Sequence, residues 1–168
     1  MIRYRSALSS DAEEMVRLDR LCFPVGVAYS RRMFDQLLEW FGGLSFVAQQ
    51  EDAFTGFAVG AMETERTGRI ITIDVDPSAR RKGIGSELMR RVEKALSDEG
   101  ATAVFLEVSE SNRGAVEFYQ HLGYQMDARV EDYYGPGGHA WIMVKQMGID
   151  SVWKTEDRQR RQGDLKKY

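Results

Sequence analysis

The segment from Ile70 to Leu96, IITIDVDPSARRKGIGSELMRRVEKAL, constrains the fold more than any other, because it joins an apolar strand to an amphipathic helix through a basic, glycine-containing turn. Ile71, Ile73 and Val75 alternate as a strand requires, and Pro77, which has no N–H to donate, ends the ladder near Val75. Beyond the turn, Ile84, Leu88, Val92, Ala95 and Leu96 recur at helical spacing, with Glu87, Arg90, Arg91, Glu93 and Lys94 mostly opposite. This is a surface helix packed on a sheet. Between strand and helix lies Arg80-Arg81-Lys82-Gly83-Ile84-Gly85. Its glycines admit a ligand to the backbone, and the first helical N–H groups point outward at the positive end of the helix dipole. Such a turn suits phosphate. A glycine helix entry flanked by solvated arginines would have the same pattern.

Two familiar phosphate loops are excluded. A Walker A loop needs Lys and then Ser or Thr after its last Gly, and Gly85-Ser86-Glu87 lacks the Lys. A dinucleotide fingerprint wants its first Gly close behind the strand and a third Gly three residues after the second, where this chain has Leu88. What fits is Arg/Gln-x-x-Gly-x-Gly/Ala after a Val-x-Pro strand end, here Val75-Asp76-Pro77 followed by Arg80 to Gly85. This pattern resembles the GCN5-related N-acetyltransferases. The resemblance implies that Arg80, Arg81, Lys82, Gly83, Ile84, Gly85 and Ser86 hold the pyrophosphate of acetyl-coenzyme A as cosubstrate, with Ile73, Val75, Asn112 and Tyr119 along the rest of it.

The remaining sequence accommodates that fold. A chain of 168 residues with 43% hydrophobic content supports one buried core and one domain. A net charge of -3 argues against nonspecific attachment to nucleic acid or anionic membrane. Cys22 is the only cysteine, so no intrachain disulfide can form, and with His121 and His139 it gives no metal-ligand spacing; no metal is expected. No apolar run approaches the ~18 residues of a membrane span, and Met1-Ile2-Arg3-Tyr4-Arg5 leads into a strand instead of a signal sequence, so the expected address is cytoplasmic.

Along the chain, Ile2 to Ala7 reads as a strand. Ser10-Asp11-Ala12-Glu13 has the form of a capping box opening a helix with Met15, Leu18 and Cys22 on one face, closed by Pro24. Ser30 caps a second helix with Met33, Leu37 and Trp40 or Phe41 as its apolar stripe and Gly42-Gly43 as its stop. The Phe23 to Tyr29 connection is aromatic enough to be either a hydrophobic staple or a wall over a substrate groove. Leu44 to Gln49 and Phe57 to Glu63 pair through a longer hairpin loop, Glu51 to Gly56. After the central strand and helix come a strand from Ala103 to Val108, buried mid-sheet, a helix from Gly114 to Leu122 ended by Gly123, and a strand pair, Tyr124 to Val130 and Ala140 to Lys145, around a glycine-rich loop. The class is α/β with a mixed sheet, in the order β-α-α-β-β-β-α-β-α-β-β. This order is that of the acetyltransferase superfamily, so the resemblance covers residues 1–147. Residues 148–168 read as a charged tail, whose Ile149, Val152 and Trp153 can anchor it on the domain or on a second subunit, as in a homodimer.

Acetyl transfer to an amine needs a base, donors for the thioester carbonyl and an acid for the departing thiolate. Glu107 is a lone carboxylate in an apolar strand, where burial would raise its pKa toward working pH; a structural carboxylate paired with a buried Arg is the alternative. Tyr119 lies on the following helix. Leu106-Glu107-Val108, Ser111-Asn112 and Phe118-Tyr119-Gln120-His121-Leu122-Gly123-Tyr124 resemble the ribosomal-protein alanine N-acetyltransferase branch. The resemblance implies Glu107 as base, Tyr119 as acid, a backbone N–H near Val75 on the carbonyl, and Asn112 on the pantetheine, although Asn112 can also be a plain helix cap. Tyr133-Tyr134, followed by Ala140 and Met143, is similar to the paired-tyrosine loop of protein N-terminal acetyltransferases, which implies that Tyr133 and Tyr134, with Phe23 and Tyr29, hold a peptide. Those enzymes carry an acidic pair before that Ala, where this chain has Gly138-His139. The expected acceptor is a protein or peptide N-terminal amine. The alternatives are a small amine, or a noncatalytic acyl-coenzyme A sensor.

Overall fold

The computed structural model describes residues 1–24 and 26–148. Ile149, Val152 and Trp153, read from the sequence as a tail anchor, lie outside the described residues. Among the described residues seven strands, β1 (Ile2–Ser6), β2 (Ser45–Gln50), β3 (Ala53–Thr64), β4 (Thr67–Val75), β5 (Ala103–Ser109), β6 (Gln125–Val130) and β7 (Ala140–Gln146), form one sheet in the order β1-β2-β3-β4-β5-β7-β6. Four α-helices of the described residues accompany them: α1 (Ala12–Cys22), α2 (Arg31–Phe41), α3 (Ile84–Asp98) and α4 (Arg113–His121). The element order read from the sequence is the observed one. All pairings are antiparallel except β4 with β5, which the α3 crossover makes parallel.

The helices cover both faces. α3 and α4 pack on one, where Leu88, Val92 and Leu96 meet Ile70, Val104 and Leu106; on the other, α1 and α2 bring Met15, Leu18, Phe34 and Leu37 onto Val47, Phe57 and Val59. α3 lies close to β4 at its C-terminal end because Gly68 places no side chain beneath Leu96: a Cβ there would come within 2.8 Å of the Leu96 side chain. On the same face Glu93 is buried between two partners, accepting the Tyr124 hydroxyl at 2.9 Å and the Lys145 ammonium at 2.7 Å. Removing it would strand both donors. Glu93→Ala is therefore expected to lower stability by about 2–4 kcal/mol and Tyr124→Phe by about 1 kcal/mol, as read from urea unfolding midpoints at constant slope.

Besides burying Glu93, which the sequence sets mostly opposite the apolar stripe, local chemistry departs from the sequence reading in four further places. The β2–β3 connection is a two-residue turn with Glu51 at φ 55, not the loop from Glu51 to Gly56, because a register shift after Ala48 lets β3 begin at Ala53. The α1 entry uses no Ser10/Glu13 box. Asp11 instead accepts Leu8 N–H at 2.7 Å and pairs with Arg5 at 2.7 Å. Ser30 does cap α2, on Met33 N–H, and Leu37 and Phe41 pack inward as expected, but Phe34 and Leu38 complete the stripe, with Trp40 exposed. Finally, Ile71 does not share a face with Ile73 and Val75. A bulge where Val59 faces Thr72 and Gly60 faces Ile70 turns Ile71 toward the α1–α2 side.

Candidate active site

β4 and β5 are in register only over Thr67–Arg69 and Ala103–Phe105, although β4 runs on to Val75 and β5 to Ser109. The Ile71 bulge lies just past the last paired residue. Beyond it the strands diverge and leave a gap lined by main chain. Asp76 N–H bonds Thr55 O at 2.9 Å while Gly56 faces Val75, so the alternation of antiparallel bonding turns the N–H and C=O of Val75 and Ile73 away from β3, into the gap. On the other side, Glu110 N–H bonds His139 O at 3.0 Å, and the same alternation turns the main chain of Glu107 and Ser109 away from β7. Two strands thus present to one cleft backbone donors that the sheet does not use.

At the mouth of the gap is the basic turn. Asp76 accepts Ser78 N–H and its hydroxyl at 2.9 and 2.6 Å, holding the short helical turn Pro77–Ala79. Gly83, the N-cap of α3, has φ 78 and no capping side chain, so the first-turn N–H groups face outward. A Cβ at Gly85 would sit 3.1 Å from the Phe118 ring on α4 and 3.6 Å from Val75, which places the α3 terminus across the gap from α4. Arg81, Lys82, Gly83 and Ser86 are exposed around it and Gly85 is partly so. Ile84 is different. Its side chain is buried in the core, so only its N–H can serve a ligand. Arg80 donates to Val75 O at 3.1 Å and reaches Cys22 Sγ at 3.6 Å, bracing the turn on β4 and α1. An uncapped helix terminus, three cations and open backbone donors together fit a pyrophosphate followed by an amide-bearing arm.

Glu107 projects from β5 on the α1–α2 side. Its side chain is 4% exposed and pairs with Arg69 of β4 at 3.2 Å through Oε2, while Oε1 is buried without a hydrogen-bond partner. The pairing with a buried Arg, the sequence-level alternative to a base, is real, and it leaves one oxygen unused. Burial pushes the Glu107 carboxyl up, opposed by the Arg69 charge. Three tyrosines share this field. The Tyr133 hydroxyl accepts from Arg69 at 3.5 Å and its ring meets that of Tyr134 at 4.7 Å, while Tyr29, stacked edge-on against Phe34 at 5.5 Å, feels both Glu107 and Arg69. Burial raises all three hydroxyls, that of Tyr134 to about 12. Tyr119 is buried on the α3–α4 side, where burial and Asp74 hold its hydroxyl protonated far above neutral pH.

The structure gathers the residues picked from the sequence unevenly. Glu107, Tyr29, Tyr133 and Tyr134 come together; Phe23, which ends α1 by donating to Asp19 O at 2.8 Å, is not among them. Asn112 caps α4 by accepting Ala115 N–H at 3.1 Å. His121 and His139 hold local backbone, at Glu117 O and Asp132 N–H. Sequence reasoning misses Arg69. Its place one residue before the apolar run hides it, and a cation facing an acid across two adjacent strands is the available signal. Asp19 and Asp74, buried between α1 and β4, escape it too. Among the described residues no cluster of three or more His, Cys, Asp or Glu side chains could hold a metal, and no helix is long and apolar enough to cross a membrane.

Residues 12–124 match the model of the acetyltransferase (GNAT) family. The chain belongs to the GNAT acetyltransferases. An N-alpha-acetyltransferase from Sulfurisphaera tokodaii is 28% identical over 84% of this chain and 91% of its own. Among solved structures, Ard1 from Thermoplasma volcanium superposes with a TM-score of 0.82 at 24% identity, covering 88% of this chain and 98% of that one. Naa20 from Chaetomium thermophilum, in complex with a bisubstrate analogue, superposes with a TM-score of 0.77 at 26% identity, covering 88% of this chain and 86% of that one. As a GNAT enzyme the chain is an N-acetyltransferase with acetyl-coenzyme A as cosubstrate.

Proposed function

We propose that this GNAT enzyme acetylates the N-terminal α-amine of a protein or peptide. The observation that carries the reading is the convergence of Glu107, with its unpartnered Oε1, and the hydroxyls of Tyr29, Tyr133 and Tyr134 on one side of the strand gap. An extended chain end laid between those tyrosines would bring its amine to Glu107. The names of relatives such as the N-alpha-acetyltransferase of Sulfurisphaera tokodaii support the same acceptor.

Bound at the basic turn, acetyl-coenzyme A supplies the acetyl thioester. The N–H groups of Val75 and Ile73 face the gap and would donate to its carbonyl and amide oxygens. Glu107 Oε1 takes the amine proton, directly or through a water. Tyr119, kept protonated by burial, donates to the departing sulfur. An α-amine of pKa ~7.7–8.0 is roughly one-third neutral near pH 7.5, whereas a lysine of ~10.4 is about one-thousandth neutral, so one carboxylate suffices for the former. The Gly138-His139 departure has a local cause: a Cβ at Gly138 would meet that of Tyr134 at 3.0 Å, and its carbonyl accepts Tyr134 N–H at 2.9 Å. We place the reaction in the cytoplasm, in keeping with the free thiol of Cys22 and the use of acetyl-coenzyme A.

The test is an acceptor panel of short peptides with varied first residues beside polyamines, aminoglycosides and free amino acids, followed by thiol release. Peptide turnover is expected to exceed that of every small amine, and Tyr134→Ala to raise peptide KM more than it weakens acetyl-coenzyme A binding. A polyamine or amino acid as the best acceptor would replace this reading with a small-molecule one.

A further inference from the structure

Beneath the acceptor face a pair of acids is buried where α1 meets β4. Asp19 and Asp74 are 0% and 2% exposed. Asp19 Oδ2 accepts Tyr29 N–H at 2.6 Å. Its Oδ1 and both oxygens of Asp74 find no well-placed donor, although the two carboxyls lie within hydrogen-bonding reach of each other and the Cys22 thiol lies within reach of Asp74. Two carboxylates cannot bond, because neither donates; a carboxylic acid and a carboxylate can. The other groups facing them are the Cys22 thiol from α1, Arg80 from the basic turn, the Tyr29 hydroxyl, and Tyr119 from α4. Arg80, the cation among these, is engaged with Val75 O and Cys22 Sγ. The Cys22 thiol, raised to about 11, stays protonated.

We propose that Asp19 and Asp74 share one proton, and that the pair is a positioning device for the acceptor, fastening Tyr29 to β4 and loosening it when the shared proton is lost. This rests on the reading of Tyr29 as part of the acceptor wall. The linkage is short: Asp74 on β4 holds Asp19 on α1, and Asp19 holds the Tyr29 backbone. Burial and the neighbouring Asp19 charge push Asp74 up to about 8, and burial raises Asp19 as well. The titration belongs to the pair. Below that range the proton is present and the fastening intact; as pH rises through it, two buried anions face each other and α1 is driven from β4. A raised carboxyl pKa also means that folding stability falls as pH climbs from the ordinary carboxylate range toward about 8.

Asp74→Asn tests this, since the amide donates to Asp19 at every pH and cannot be titrated. The acceptor KM of wild type is measured against that of the variant from about pH 7 to about 9.5; titration of the acceptor amine is common to both and cancels in the ratio. The ratio is expected to climb about 10-fold across that range, with the ratio of acetyl-coenzyme A affinities flat. Asp19→Asn, which keeps an acceptor for Tyr29 N–H and gains a donor toward Asp74, is expected to behave alike and serves if Asp74→Asn fails to fold. Carboxyl ¹³C shifts of aspartate-labelled protein need no acceptor, so they separate this proposal from the assigned activity. They are expected to show Asp19 and Asp74 titrating together far above the ordinary carboxylate range, with Asp19 losing that transition in Asp74→Asn. Full ionisation of Asp74 from about pH 5 upward, or parallel KM profiles for wild type and both variants, would overturn the proposal.

Discussion

Glu107→Gln is expected to lower kcat by about 10²- to 10⁴-fold near neutral pH, with acetyl-coenzyme A affinity retained. The substitution keeps the volume of a side chain that is 4% exposed and removes only the proton-accepting oxygen. Its sign with pH follows from the pairing. Burial raises the Glu107 carboxyl and Arg69 pulls it down, so the acid limb of the kcat profile reports the base losing its proton as pH rises. Arg69→Met should shift that limb to higher pH, because the opposing charge is gone while desolvation and the Glu63 charge still raise the carboxyl. It should also cost about 3–5 kcal/mol of stability while Glu107 is ionised. Tyr119→Phe should slow the reaction without moving the acid limb. Stopped-flow thiol release across pH checks all three; a Glu107→Gln enzyme with nearly full activity and the wild-type limb would assign the base elsewhere.

The second large effect is on the cosubstrate. Gly85→Glu is expected to abolish measurable acetyl-coenzyme A binding in calorimetric titration, because an acidic side chain at the α3 terminus occupies the approach and repels phosphate. Packing contributes as well. A Cβ there already crowds the Phe118 ring at 3.1 Å, so part of the effect would come from displacing that ring. The doubly substituted Arg81→Glu/Lys82→Glu protein isolates the charge effect, since both side chains are exposed. Removing two charge-assisted hydrogen bonds to phosphate together should weaken binding by about 10²-fold or more, more steeply at low salt. Undiminished affinity in both proteins would place the cosubstrate away from this turn.

These two sites differ in how far the sequence reveals them. The basic turn is legible because a strand end, a proline and a glycine helix entry are local signals, each written within a dozen residues. The element order follows from the same kind of signal. What stays hidden is set by tertiary structure. One bulged residue, Ile71, decides where β4 leaves β5 and which face Arg69 and Asp74 take, and no periodicity announces a bulge within an isoleucine pair. Glu107 is visible as an odd carboxylate, but its partner lies 38 residues away on a neighbouring strand. Asp74 stands in an apolar strand much as Glu107 does, yet nothing marks it without Asp19, which itself sits one helical turn after Met15 on a face that reads as core. The apolar stripe of α2 is read only in part for a similar reason: Leu37 and Phe41 do pack on the core, but Phe34 and Leu38 dock the helix where Met33 and Trp40 are expected.

The most direct measurement uses a peptide carrying both a free α-amine and an internal lysine, incubated with enzyme and acetyl-coenzyme A and fragmented by tandem mass spectrometry. The acetyl group should appear on the first residue alone, and no product should form once the N-terminus is blocked. Acetyl on the lysine, or turnover of the blocked peptide at a rate matching the free one, would contradict the assignment of Glu107 and the tyrosine wall to an α-amine acceptor.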